Sequence, residues 1–287
     1  MKSTSLYQET RAFLRDSDFK PRKRLGQNFL VHENVIEAIL RLLDLSQQDE
    51  IIEIGPGLGF LTRRLVEVAR SVWAVEVDHD LARWLERSGL ASNSTFHLVR
   101  GDILTVDLST ILPDHRVKLV GNLPYSISTP VLFRLFEERE RFSVLVLMVQ
   151  REVAERMAAS PGSKAYGTLS VWCQIHGQIL DKVSVSSEAF FPRPKVKSTV
   201  LKIDLRPEPL VPKEDLRVLH DVVRAAFGQR RKTLSNALGA WLKKGRSEID
   251  ALLREEGIDP RRRGETLSVD EFIRLARAVK MKLTADY

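Results

Sequence analysis

Apolar positions along this chain follow two periods, and the second period ends before the chain does. Val35, Ile36, Ile39, Leu40, Leu42 and Leu43 recur at helical spacing and predict an amphipathic helix. Ile51, Ile52 and Ile54 then form a short apolar run of strand type. Strand-like runs follow at Ser71 to Val77, Thr95 to Val99, Val117 to Val120 and Ser143 to Val149, and later at Ile179 to Val185 and Thr199 to Leu205. Between them lie helical stretches: Leu61 to Val68, Leu81 to Leu90, a helix opened by Pro130, and one from Gln150 to Met157. Strands alternating with helices predict an open α/β sheet, and the nearly all-apolar Ser143 to Val149 predicts a strand buried on both faces.

The alternation stops at Arg206 to Lys213, a stretch with three prolines in eight residues. Beyond it only the helical period remains, at about Glu214–Phe227, Lys232–Leu242, Ser247–Glu256 and Val269–Met281. Two domains are expected: 1–206, α/β with a basic N-terminal arm, and 207–287, smaller and all-helical. Ser160 to Gly167 is a Gly/Pro/Ser-rich loop, and Leu169 to His176 is helical.

Composition narrows the class. No apolar run approaches the roughly 18 residues of a membrane span, and Met1 to Lys20 lacks the apolar region of a signal peptide. The single cysteine, Cys173, excludes an internal disulfide and a thiolate metal cluster and fits a reducing cytoplasm. The six histidines do not pair at ligand spacings, so no metal is expected. The formal charge is +7, and its distribution matters more than its size. Residues 1–30 hold seven Lys/Arg against three Asp/Glu, and 207–287 hold seventeen against thirteen. The centre is nearly neutral, which suggests a polyanionic partner met by basic flanks. Lys20, Arg22, Lys23 and Arg24 are one candidate phosphate-binding cluster. Arg230, Arg231 and Lys232 form a second, and Arg193 and Lys195 lie in a third basic loop.

Candidate chemistry gathers at predicted strand ends, where open α/β sheets bind ligands. Gly55, Gly57 and Gly59 form a tight turn after the first strand. Their G-x-G-x-G spacing is neither a dinucleotide fingerprint nor a P-loop, which disfavours NAD and ATP. Glu76, twenty-one residues after Gly55, stands where an acid can accept from two ribose hydroxyls. Asp102 can accept from an exocyclic amine, or it is an ordinary turn aspartate. Asn122-Leu123-Pro124-Tyr125 ends the fourth strand, since Pro124 cannot continue a ladder. An amide beside an aromatic plane suits a nucleobase; taken alone, the four residues fit an Asn-capped turn equally well. Phe190 and Phe191 precede Pro192 and Pro194 on a stiff loop, where an aromatic can stack on an unpaired base or plug the core.

In combination, KRLGQNFL at 23–30, IIEIGPGLGFLT at 51–62, AVEVD at 74–78, GDIL at 101–104, GNLPYSIS at 121–128, MVQREVAERM at 148–157, FFPRPKVKS at 190–198 and AFGQRRKTLSNAL at 226–238 make the chain resemble the ribosomal-RNA adenine dimethyltransferases of the KsgA type. The resemblance runs along nearly the whole chain. It implies a Rossmann-like class I methyltransferase sheet and S-adenosylmethionine as cofactor. Gln27, Asn28 and Leu30 would close over the cofactor. Gly55 and Gly57 would line its amino-acid part, Glu76 would hold the ribose and Asp102 the adenine, with Asn122 beside them. Asn122 and Pro124 would orient a target amine, with Tyr125 and Phe190 clamping its base. The implied partner is 16S rRNA in a small-subunit precursor, met by a cytoplasmic monomer, and the helical domain would serve RNA or ribosome binding. The motif residues would also serve a 23S rRNA adenine dimethyltransferase conferring antibiotic resistance. A non-catalytic ribosome-assembly or transcription factor on the same fold is a third reading, disfavoured by the intact site residues.

Overall fold

The computed structural model describes residues 5–17, 19–229 and 231–285, without the side chains of Lys23, Thr284 and Ala285. The chain divides into two compact units. The first, residues 1–154 with 178–207, has among the described residues nine strands: β1 (Phe29–Leu30), β2 (Glu50–Ile54), β3 (Ser71–Glu76), β4 (Phe96–Arg100), β5 (Val117–Asn122), β6 (Phe142–Gln150), β7 (Gly177–Val185), β8 (Phe190–Phe191) and β9 (Ser198–Leu205). Its helices are α1 (Leu6–Asp16), α2 (Glu33–Leu43), α3 (Phe60–Leu65), α4 (His79–Arg87) and α5 (Ser128–Glu137), and the start of α6 (Arg151–Met157).

Seven strands form one sheet in the order β4-β3-β2-β5-β6-β9-β7. The five from β4 to β6 are parallel, and β9 runs antiparallel to β6. The inner parallel strands β2, β3, β5 and β6 bury most of their apolar residues on both faces, whereas the edge strand β4 is half exposed. Ile51, Ile52, Val72, Leu119, Leu145 and Leu147 are all completely buried. The chain leaves β2 toward β3 on one side, while β5 continues toward β6 on the other. A crevice therefore opens where β2 and β5 lie side by side, with Ile54 opposite Gly121. A Cβ at Gly121 would stand 3.0 Å from the Ile54 Cβ and 3.1 Å from its carbonyl oxygen, so any larger residue would push the two strands apart by a few tenths of an ångström.

Several expectations shift by a residue or more. Strand β5 runs through Asn122, because Leu123 still donates to the Met148 carbonyl at 3.0 Å before Pro124 ends the ladder. The helix expected to reach Val68 ends at Leu65, and Val68 is exposed. Helix α1 was not expected. Its Ser5–Gln8 capping box and the buried Leu6, Thr10 and Phe13 are the sequence signal for it. A two-stranded ribbon pairs β1 with β8, Phe29 opposite Phe191 and Leu30 opposite Phe190.

The second unit combines residues 208–287 with 155–177, so the cut expected at 206/207 does not capture it. Helix α7 (Thr168–His176) shares one apolar core with α8 (Lys213–Gly228), α9 (Leu234–Leu242), α10 (Arg246–Glu255) and α11 (Val269–Ala285). Tyr166, Val171 and Ile175 are buried with Leu219, Leu253 and Phe272, which is why the inserted segment belongs to the helices. Among the described residues no helix is long and apolar enough to cross a membrane, and no group of His, Cys, Asp or Glu could hold a metal ion.

Candidate active site

A cleft opens at the carboxyl ends of β2, β3, β4 and β5. Gly55, Gly57, Glu76 and Asp102 line its sheet side. Gln27, Asn28, Asn122, Pro124 and Tyr125 also line it, so the structure brings together residues that lie almost a hundred positions apart. Leu30 stands apart: it lines an adjoining smaller cavity with Glu53 and Asn122, and packs into the apolar clusters beneath.

The glycine turn is shaped by close approach. Gly57 has φ +59°, and a Cβ there would meet the Phe29 ring at 3.3 Å. Gly59 has φ +81° and would press a Cβ to 2.8 Å from Leu90 Cδ1. The turn also delivers an amide: Gly57 N–H donates to Glu76 Oε2 at 3.2 Å, and Asp78 N–H donates to Oε1 at 2.8 Å. Burial nonetheless dominates and pushes the Glu76 carboxyl up to about 7, against the lowering effect of those amides. Behind it Glu53 is 3% exposed and accepts from Thr62 Oγ1 at 2.7 Å. Burial raises Glu53 to about 7 as well, with the neighbouring Glu76 adding to the rise. Its place between Ile52 and Ile54, inside the apolar run of β2, was a readable signal of a buried acid.

Asp102 is set by an Asx turn, its Oδ1 accepting from Leu104 N–H at 2.9 Å. Asn122 donates from Nδ2 to the Asn28 carbonyl at 3.1 Å. That bond fixes which amide atom is which: among the described residues Oδ1 accepts nothing and remains a hydrogen-bond acceptor for a ligand. The Tyr125 hydroxyl is 2.7 Å from Ser198 Oγ, which orients the ring, and burial raises its pKa. Gln27 bridges: Oε1 accepts from Arg22 N–H at 2.7 Å, and Nε2 donates to Asp78 Oδ2 at 2.7 Å.

Two expectations are corrected. Phe190 is 3% exposed and packs with Met148, Val185 and Val200, so its ring is core and is not among the residues lining the cleft with Tyr125. The period of two in β8 turns Phe191 outward instead, edge-on to Tyr7 at 5.6 Å. Arg22 is not a loose phosphate ligand, because it pairs with Asp78 at 2.9 Å and Asp80 at 2.6 Å. Of the other cations, Lys20, Arg24, Lys195, Arg231 and Lys232 are exposed, and Arg193 is exposed while paired to Glu188 at 2.9 Å. Arg230 and the side chain of Lys23 lie outside the described residues.

Residues 18–280 match the family described as ribosomal RNA adenine dimethylase. The chain belongs to that family. Family membership spans both units, so the sheet and the helices are parts of one dimethylase architecture. The chain is 45% identical over 262 residues to the ribosomal RNA small subunit methyltransferase A of Syntrophotalea carbinolica, covering 91% of this chain and 97% of the relative. It is 44% identical over 291 residues to the protein of the same name from Moorella thermoacetica, covering 98% and 100%. Among solved structures it is similar to a dimethyladenosine transferase from Plasmodium falciparum, with a TM-score of 0.75 at 23% identity over 88% of this chain and 97% of that one, a likeness of fold. The 23S rRNA methyltransferase ErmE superposes with a TM-score of 0.67 at 25% identity, covering 88% of this chain and all of that one.

Proposed function

We propose that this dimethylase transfers methyl groups from S-adenosylmethionine to N6 of two adjacent adenosines in the loop of the 3′-terminal helix of 16S rRNA, two methyls on each, in a small-subunit precursor. The cleft fits such a cofactor. Glu76 carries two buried acceptor oxygens for ribose hydroxyls, and Asp102 has, among the described residues, a second carboxylate oxygen available for an exocyclic amine. Gln27 and Asn28 close the cleft from the N-terminal side. When bound, S-adenosylmethionine supplies an electrophilic methyl on a sulfonium.

The observation that carries the proposal is the Asn122 amide, held by the Asn28 carbonyl with Oδ1 left to accept. An adenine amine is a poor nucleophile because its lone pair is delocalised into the ring. In the first transfer Asn122 Oδ1 and the Pro124 carbonyl can each accept one N–H, turning the lone pair out of conjugation; in the second only one N–H remains and one of the two acceptors takes it, and after each transfer the ammonium proton passes to solvent. Pro124 O also accepts from Ile127 N–H at 3.1 Å, which fixes its direction while leaving a second lone pair. Placement and fixed dipoles supply the catalysis without a general base. Tyr125 offers one face for stacking, worth roughly 1–3 kcal/mol per base. The exposed Lys20, Arg24, Lys195, Arg231 and Lys232 supply the phosphate contacts.

The test is to incubate the protein with labelled methyl donor and unmethylated small-subunit particles, then map the label. Methyls on the paired adenosines are expected; label elsewhere, or none, refutes the proposal. Asn122→Ala should abolish transfer while cofactor affinity changes little. Transfer at the unaltered rate would remove Asn122 from the mechanism.

A further inference from the structure

We propose that Asp78 is a positioning residue that anchors the strap formed by residues 22–28 over the cofactor cleft, and that Arg22 serves this anchor rather than RNA. The inference rests on the proposed cofactor. Asp78 is completely buried at the end of β3. Its Oδ1 accepts from Asp80 N–H at 2.9 Å, capping α4, and pairs with Arg22 at 2.9 Å. Its Oδ2 accepts from Gln27 Nε2 at 2.7 Å. Gln27 Oε1 in turn accepts from Arg22 N–H at 2.7 Å, closing a ring of bonds. Asp80 takes the other arm of the Arg22 guanidinium at 2.6 Å.

The ring holds the end of the strap that meets the active-site loop. Gly26 lies against the Pro124 ring, where a Cβ would come within 3.2 Å. The Gly26 carbonyl accepts from Asn28 Nδ2 at 2.9 Å, and the Asn28 carbonyl holds the Asn122 amide. A continuous path of bonds therefore runs from Asp78 through the strap to the residue that would accept from the target amine. Asp78 itself is not among the residues lining the cleft. A buried carboxylate satisfied by three donors holds those donors tightly, since losing one leaves charge uncompensated.

Asp78→Asn separates anchoring from folding. The amide keeps Oδ1 for the helix cap, a position that Asn fills as well as Asp. It places an NH₂ against the Gln27 NH₂ and removes the charge facing Arg22. By calorimetry the Kd for S-adenosylmethionine should rise about tenfold, the scale of one lost charged hydrogen bond, in protein whose folded state is verified by circular dichroism. The double variant Gln27→Glu with Asp78→Asn exchanges carboxylate and amide, so each acceptor again faces a donor, and it should recover most of the affinity. An unchanged Kd in the single variant, or no recovery in the double, overturns the proposal. Should Asp78→Asn fail to fold, Arg22→Gln, at a partly exposed side chain, carries the same test. It should weaken cofactor binding and leave the salt slope of RNA binding unchanged; a lower slope with unaltered cofactor binding would return Arg22 to the RNA surface. Wild-type protein that binds no S-adenosylmethionine would instead refute the cofactor assignment itself.

Discussion

Cofactor affinity should depend on pH through Glu76. Burial raises this carboxyl to about 7 in the free protein, from an ordinary value of 4.5. The sign for the free protein follows from linkage: the folded state holds a proton that the unfolded state has released. Glu76 therefore contributes most to stability below pH 4.5 and loses that contribution as pH rises toward 7. Ligand binding runs the other way. Ribose hydroxyls donate to the ionised carboxylate, and a protonated Glu76 offers fewer acceptors. With a free-state value near 7, about one-tenth of the protein is ionised at pH 6 and about nine-tenths at pH 8. Kd for S-adenosylmethionine should thus be about tenfold weaker at pH 6 than at pH 8, about 1.4 kcal/mol. Calorimetry in buffers of different ionisation enthalpy reads both the affinity and the proton released. The cofactor's own amino group titrates too, so the slope to be compared is that of Glu76→Gln, which should be flat where the native slope is steep. An equal slope in the two proteins, or a Kd constant from pH 6 to 8, would refute the assignment of Glu76 to the ribose.

Two further outcomes are expected beside those already given for Asn122 and Asp78. Gly59→Ala should lower stability by about 1–3 kcal/mol, from its left-handed φ of +81° and the crowding against Leu90 and Leu85; thermal unfolding checks this, and a loss within about 0.5 kcal/mol would mean the turn relaxes freely. Replacing both Arg231 and Lys232 with alanine should weaken RNA binding and reduce the slope of log K against log salt by about 1.4–1.8; an unchanged slope would take the two residues off the RNA surface.

The amino-acid sequence alone determined the fold class and most of the elements, α1 and the short strands β1 and β8 excepted. All-apolar runs such as Ser143 to Val149 are satisfied in a sheet covered on both faces, and the later helical period has to bury its stripe against other helices. The glycine turn at Gly55 to Gly59, the acids Glu76 and Asp102 at strand ends, and the stop imposed by Pro124 are local features, so their place along the strands was legible. What sequence could not decide is partnership at a distance. Phe190 and Phe191 are chemically alike, and only the pairing of β8 with β1 sends the first into the core and the second outward. Arg22 sits in a basic cluster that reads as a phosphate site, and only the fold of the strap brings it to the buried Asp78. Residues 155–177 read as part of the sheet unit by position along the chain, yet their apolar faces are buried among the C-terminal helices. Periodicity states which side of an element seeks burial; which surface receives it is settled by packing among elements far apart in the chain.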